Sequence, residues 1–150
     1  MSAAGAPGGR STWNHWYRRA LPAYWIFLFC ATHFPRLRLG GPVAGSDKVL
    51  HFSAFALLAF LFWRFAETFR RPLGRPRILL IGFVLMMYAA LDEYLQQFVG
   101  RGTDFDDFVA DMLGIALVLS FAISRARLAR PWSGRQPVSP SGGSDAAALR

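Results

Sequence analysis

The chain contains almost no cysteine, and this excludes several classes of protein. Cys30 is the one cysteine among 150 residues, so neither an internal disulfide nor a site of several thiolate ligands can form. The residues before it, Phe27, Leu28 and Phe29, are too bulky for a lipoprotein cleavage box. Because Cys30 lies inside an apolar run, we expect it to be a packing residue.

A signal-peptide cleavage site is also lacking after the first apolar block, which runs from about Ala20 to Phe34. Secretory signal peptides end in small residues of the Ala-x-Ala type, and none follow this block. Trp13, Trp16 and Tyr17 precede it, and such residues suit the interface between lipid and water. We therefore predict a retained first helix behind a disordered or interfacial segment, residues 1–19.

The basic charge lacks the pattern of a nucleic-acid-binding surface. The formal net charge is +8, which by itself would attract phosphate. The arginines flank apolar blocks, however, and do not form a stripe with interleaved stacking aromatics. The sequence thus predicts that nucleic acid is not a partner.

What the chain has in abundance is hydrophobic sequence, 53% of its residues, arranged in blocks. A helix needs about 20 apolar residues to cross the hydrocarbon core of a bilayer. The sequence therefore predicts an all-α membrane bundle of four transmembrane helices within residues 20–124, followed by a basic and then disordered tail, residues 125–150. The blocks are Ala20–Phe34, Val49–Phe65, Ile78–Leu95 and Phe105–Ile123.

Arginine and lysine fall unevenly on the two sides of such a bundle. Thirteen lie in the N-terminal segment, the loop between the second and third blocks and the C-terminal tail. The opposite side holds four, namely Arg36, Arg38, Lys48 and Arg101. The positive-inside rule then predicts a cytoplasmic-membrane protein with both termini in the cytoplasm.

The acidic residues show the opposite bias. Seven of the nine fall at the predicted outer ends of the second, third and fourth helices. Ionisable groups at membrane depth cost free energy unless they are paired or hydrated, so such a cluster is a functional hypothesis. Its members are Asp47, Asp92, Glu93, Asp104, Asp106, Asp107 and Asp111.

Helix capping is the simpler interpretation for part of this cluster. Asp104 and Asp47 stand where helices begin, and carboxylates are favourable near helix N-termini. Capping does not explain Asp111, which lies two turns into its helix, or Glu93 at a helix C-terminus. Lys48 at a helix N-terminus is also electrostatically misplaced, so we expect these charges to compensate one another.

Spacing places the polar residues on shared helix faces. Asp47 and His51 are four residues apart, and Asp107 and Asp111 are four apart on another helix. Four motifs follow one another along the chain: Asp47-Lys48-x-x-His51, Asp92-Glu93-x-x-Gln96, Gly100-Arg101 and Asp107-x-x-x-Asp111-x-x-Gly114. In these motifs the chain resembles the VanZ-like membrane proteins, named after a bacterial accessory protein of teicoplanin resistance. A weaker match, Thr32-His33-x-Pro35, ends the first block.

The resemblance implies a multi-pass membrane protein whose general biochemical activity is not well established. Our first hypothesis is a binding or accessory role in the cell envelope, with a lipid head group, a cell-wall precursor or a glycopeptide as ligand. It would extend to teicoplanin resistance if this member shares that phenotype. The ligand-binding residues carried over by position are Lys48, Gln96, Arg101, Asp107 and Asp111.

The alternative is a membrane-embedded enzyme acting on a lipid-linked substrate. His51 would be its general base or nucleophile, oriented by Asp47, with Glu93 as a further catalytic group. No cofactor is expected, although Glu93, Asp107 and Asp111 are the carboxylates that would hold a divalent cation. A proton- or ion-coupled transporter is the third hypothesis, which the crowding of the acids at one end disfavours.

Overall fold

The computed structural model describes residues 13–33, 45–69, 73–100 and 104–128, and most of these are helical. No strand occurs in these ranges, which confirms the predicted all-α class. A short 3-10 helix, Gln97–Val99, extends the third helix. The helices are α1 (Trp13–His33), α2 (Ser46–Glu67), α3 (Arg75–Gln96) and α4 (Phe105–Leu128).

Three of the four predicted transmembrane helices are confirmed in length and composition. Helices α2 and α4, and α3 together with its 3-10 extension, are long and apolar enough to cross a membrane. Helix α1 is not among the helices that are long and apolar enough to do so. Its 21 residues would extend about 31 Å, but its first half contains Arg18 and Arg19. Whether α1 also crosses the bilayer therefore stays a prediction.

The bundle is built around α2, which packs most extensively against α4. Phe55, Leu58 and Leu85 are completely buried between the helices. Large apolar side chains such as Phe83 and Leu117 are instead more than half exposed on the outer surface. Water would penalise so much exposed hydrocarbon, whereas lipid would not, so the surface fits a membrane protein.

Gly114 sets the distance between α2 and α4. A Cβ atom at this position would collide with the carbonyl oxygen of Phe52 and lie 3.0 Å from the backbone nitrogen of Ala56. Ala110, one turn earlier, is also buried. Small residues four apart let two helix backbones approach closely in a membrane. Gly114 therefore permits the close contact between α2 and α4.

Basic and aromatic side chains meet at the end of the bundle opposite the acidic cluster. Arg64 forms an ion pair with Glu67 at 2.6 Å. The Arg125 guanidinium lies 5.6 Å from the ring centroid of Trp63, and that of Arg18 lies 4.6 Å from the Phe69 centroid. Such cation–π contacts let arginine keep its charge beside an apolar helix end.

The predicted terminal segments lie largely outside the described residues. Residues 1–12 and 129–150 of these predicted segments lie outside the described ranges, and so do residues 34–44, 70–72 and 101–103. Helix α1 begins at Trp13, so it includes the aromatic residues before Ala20 together with Arg18 and Arg19. The first helix is thus longer than its apolar block.

Candidate functional site

The polar residues of all four helices meet at one end of the bundle. Because successive helices run in opposite directions, the C-termini of α1 and α3 lie beside the N-termini of α2 and α4. Asp92 and Asp111 are each 1% exposed there, and Glu93 is 9% exposed. Buried carboxylates need partners, so the contacts of each one define what this site can do.

Lys48 connects α2 to the start of α4 through three carboxylates. Its Nζ atom lies 2.9 Å from Asp104 Oδ2, 3.4 Å from Asp107 Oδ1 and 3.5 Å from Asp106 Oδ2. The hydrogen bond from Lys48 holds the pKa of Asp104 below its usual value. Lys48 was expected to compensate Asp111 and Glu93, but its partners in the structure are the three carboxylates at the start of α4.

His51 lies one turn further along α2 and also faces α4. Its Nδ1 atom is 3.1 Å from Asp111 Oδ1, and its Nε2 atom is 3.8 Å from Asp107 Oδ2. The sequence interpretation had Asp47 orienting this histidine, but in the structure Asp111 is the hydrogen-bonded carboxylate. The i, i+4 spacing placed Asp47 and His51 on one face, yet a partner from α4 comes closer.

Glu93 and Asp104 join the end of α3 to the start of α4. The backbone N–H of Asp104 donates to Glu93 Oε1 at 2.5 Å. Asp104 Oδ1 in turn accepts a hydrogen bond from the backbone N–H of Asp106 at 2.9 Å. The capping interpretation of Asp104 is therefore confirmed, in addition to its ion pair with Lys48. The second oxygen of Glu93 is buried and has no hydrogen-bond partner among the described residues.

Asp92 forms a second buried cluster, between α1 and α3. It accepts hydrogen bonds from Thr32 Oγ1 at 3.0 Å, Gln96 Nε2 at 3.1 Å and the Tyr88 hydroxyl at 3.4 Å. His33 Nδ1 lies 3.7 Å from the same carboxylate. Sequence reasoning did not include Asp92 among the site residues, although the Thr32-His33 motif was the signal for it. Gln96, expected to bind ligand, is held here by Asp92.

An elongated groove runs between α1 and α2 and ends at this polar region. Its volume is about 310 Å³. Tyr24, Phe27 and Leu57 are among its apolar walls, whereas Thr32, Asp47 and His51 supply polar groups. The remaining lining residues are Leu28, Ala31, Leu50, Ser53, Ala54 and Phe55. An amphiphilic molecule, with one apolar and one polar part, would match these two regions of the groove.

Comparison with known proteins shows the family of the chain. The family model described as VanZ/LLP1 matches residues 8–126, which is most of the chain. This chain belongs to the VanZ/LLP1 family. It is also 31% identical over 115 residues to an uncharacterized protein of Schizosaccharomyces pombe, covering 74% of this chain and 68% of that protein. No solved structure matches it.

The structure brings most of the VanZ/LLP1 signature residues together. Asp47, Lys48 and His51 from the first motif face Asp107 and Asp111 from the second across the α2–α4 contact. Glu93 reaches this group through the backbone of residue 104. Gln96 lies instead with Asp92, and Arg101 is outside the described residues. The two motifs, distant in the VanZ/LLP1 sequence, thus form one polar assembly.

A cation site in this VanZ/LLP1 assembly would differ from the set that the sequence suggested. Among the described residues, Asp47, Asp104 and Asp107 each bring one oxygen atom within 4.8 Å of the others. Of the predicted ligands Glu93, Asp107 and Asp111, they share only Asp107. Lys48 already contacts Asp104 and Asp107, so a divalent cation would have to displace its ammonium.

Proposed function

We propose that this multi-pass VanZ/LLP1 protein binds a lipid or lipid-linked ligand of the cell envelope in the groove between α1 and α2. The observation that carries the proposal is the form of the groove, which is apolar along its length and polar at one end. Ligand sites are commonly clefts of this size with mainly apolar walls and a few polar groups. Here the apolar length would hold an acyl or prenyl chain, and the polar end its head group.

The engagement of the basic groups favours binding over catalysis. A general base needs a ring nitrogen that can accept a proton from the substrate. Both ring nitrogens of His51 face carboxylate oxygens of α4, at 3.1 and 3.8 Å. Lys48 is likewise held by three carboxylates. These contacts suit groups that organise the end of a groove better than groups that carry out proton transfer.

We propose an envelope ligand because of the family resemblance and the expected topology. If the lipid-linked ligand is a cell-wall precursor, its sequestration would change sensitivity to glycopeptides such as teicoplanin. The groove would then open at the outer face of the cytoplasmic membrane. This requires that both chain termini lie in the cytoplasm and that α1 crosses the membrane in addition to α2, α3 and α4.

A reporter fusion tests that topology. Alkaline phosphatase fused behind Arg150 of the full chain should be inactive in a bacterial host, whereas green fluorescent protein at the same position should fluoresce. The physical reason is that thirteen arginines lie on the predicted cytoplasmic side, whereas the other side holds four basic residues. Active phosphatase together with a dark fluorescent fusion would refute the orientation.

Filling the groove tests the binding function. Ser53 lines the groove and is exposed, so Ser53→Trp should place an indole where the lipid chain lies. We expect at least a tenfold loss of co-purified lipid, measured by mass spectrometry of protein washed extensively in detergent, since the indole and the chain exclude each other.

Ser120→Trp is the matched control. Ser120 is exposed on α4 and is not among the groove residues, so its replacement should leave the retained lipid unchanged. Equal lipid retention by wild type, Ser53→Trp and Ser120→Trp would mean that the groove is not a binding site.

A further inference from the structure

We infer that the ligand of the groove is a lipid whose head group carries a protonated amine, as in an aminophospholipid, and that the Asp47 carboxylate pairs with this amine. The inference rests on the proposed function, because it specifies the chemistry of the ligand in the same groove. It follows from the balance of charge at the polar end and from the surroundings of Asp47.

The polar end of the groove belongs to a region with an excess of acid. Counted over the full sequence, the ends of the helices and the loops on this side carry seven carboxylates and four arginine or lysine residues. Lys48, one of the four, contacts three of those carboxylates and so offers little to an anionic ligand. The region as a whole attracts cations and disfavours a head group with net negative charge.

Asp47 is the carboxylate of this region that is available to a ligand in the groove. It is exposed, it lines the groove, and it forms no hydrogen bond or ion pair with any other residue in the described parts of the chain. One of its oxygens also lies within 4.8 Å of oxygens of Asp104 and Asp107. Carboxylates this close repel one another, and an ammonium group beside Asp47 would reduce that repulsion.

The walls of the groove select a lipid in preference to a small free amine. Phe27, Leu28 and Leu57 lie along the groove away from Asp47 and present hydrocarbon. A small amine would leave this surface empty, whereas an acyl chain would cover it and gain the free energy of apolar burial. Charge and shape thus specify the two halves of one ligand, an amine head group and a hydrocarbon tail.

Head-group selectivity tests the inference. The full chain and its Asp47→Asn variant would be purified in mild detergent from membranes that contain phosphatidylethanolamine and phosphatidylglycerol. The ratio of the two lipids bound to each protein is then measured by mass spectrometry. We expect wild type to be enriched in phosphatidylethanolamine relative to the membrane extract, and Asp47→Asn to lose roughly three- to tenfold of that enrichment.

Asp106→Asn is the matched control for charge. Asp106 is 69% exposed at the same end of the bundle and contacts Lys48 at 3.5 Å, but it does not line the groove. Its replacement removes one negative charge from the region and should leave the lipid ratio within about twofold of wild type, as expected for an exposed pair. A selective effect of Asp47→Asn therefore reports a local contact and not the net charge.

Three results would overturn the inference. They are an unchanged lipid ratio in Asp47→Asn, a wild-type preference for phosphatidylglycerol, and loss of phosphatidylethanolamine on addition of EDTA, which would indicate a cation bridge to the phosphate. In each case the Ser53→Trp variant separates the two proposals. If Ser53→Trp still loses its lipid, the groove binds lipid without amine selectivity, and if it does not, the proposed function itself fails.

Discussion

Gly114→Ala should lower the free energy of unfolding by roughly 1–3 kcal/mol, the usual cost of forcing extra volume into a well-packed contact. The added Cβ would collide with the backbone carbonyl of Phe52 and crowd the backbone nitrogen of Ala56. Backbone atoms cannot rotate away as a side chain can, so α2 and α4 would have to separate. Thermal unfolding in detergent, followed by tryptophan fluorescence, measures the loss as a lower transition midpoint.

Gly82→Ala provides the matched control within a helix. A Cβ at Gly82 would lie 3.0 Å from Leu119 Cδ1, the end of a flexible side chain that can change rotamer. Alanine also has the higher helix propensity, by about 1 kcal/mol over glycine. We therefore expect Gly82→Ala to be neutral or slightly stabilising. Equal midpoints for Gly114→Ala and Gly82→Ala would contradict the close approach of α2 to α4.

Asp111→Ala should have the larger effect, a loss of about 3–5 kcal/mol, because it removes the buried carboxylate that holds His51. Asp111 is 1% exposed, and its carboxylate lies 3.1 Å from His51 Nδ1. Without it, the partly buried imidazole of His51 loses the hydrogen-bond partner of its Nδ1 atom. Yield of monodisperse protein and the thermal midpoint in detergent both report the change.

Replacing both partners distinguishes pairing from simple loss of volume. In the double variant His51→Leu with Asp111→Leu, apolar side chains fill the space of the pair, and such replacements are often neutral. We expect it to recover most of the midpoint lost in Asp111→Ala. Asp106→Ala, at a 69% exposed position, should change the midpoint little. A double variant as unstable as Asp111→Ala alone would show that the pair is not what stabilises this contact.

The partners of the charged residues at the polar end could not be predicted from the sequence. Spacing along α2 correctly placed Asp47 and His51 on one face, but it gave no information on which helix would lie against that face. The structure places α4 there, so His51 bonds to Asp111 and Lys48 to Asp104. Asp92 was named in the acidic cluster, but its partner could not be predicted from spacing, because Thr32 lies on another helix, 60 residues away along the chain.

The sequence by itself determined the helices, the membrane character and the gathering of acids at one end. The length of an apolar block limits where a chain can cross a bilayer. Because successive helices run in opposite directions, the C-terminus of one helix and the N-terminus of the next lie on the same side. Tertiary structure alone decided the closest helix pair, the carboxylate that holds each basic group and the groove between α1 and α2. The reason is that helical periodicity fixes the faces of one helix, whereas the rotation of each helix against its neighbours depends on packing, here on the close contact that Gly114 permits.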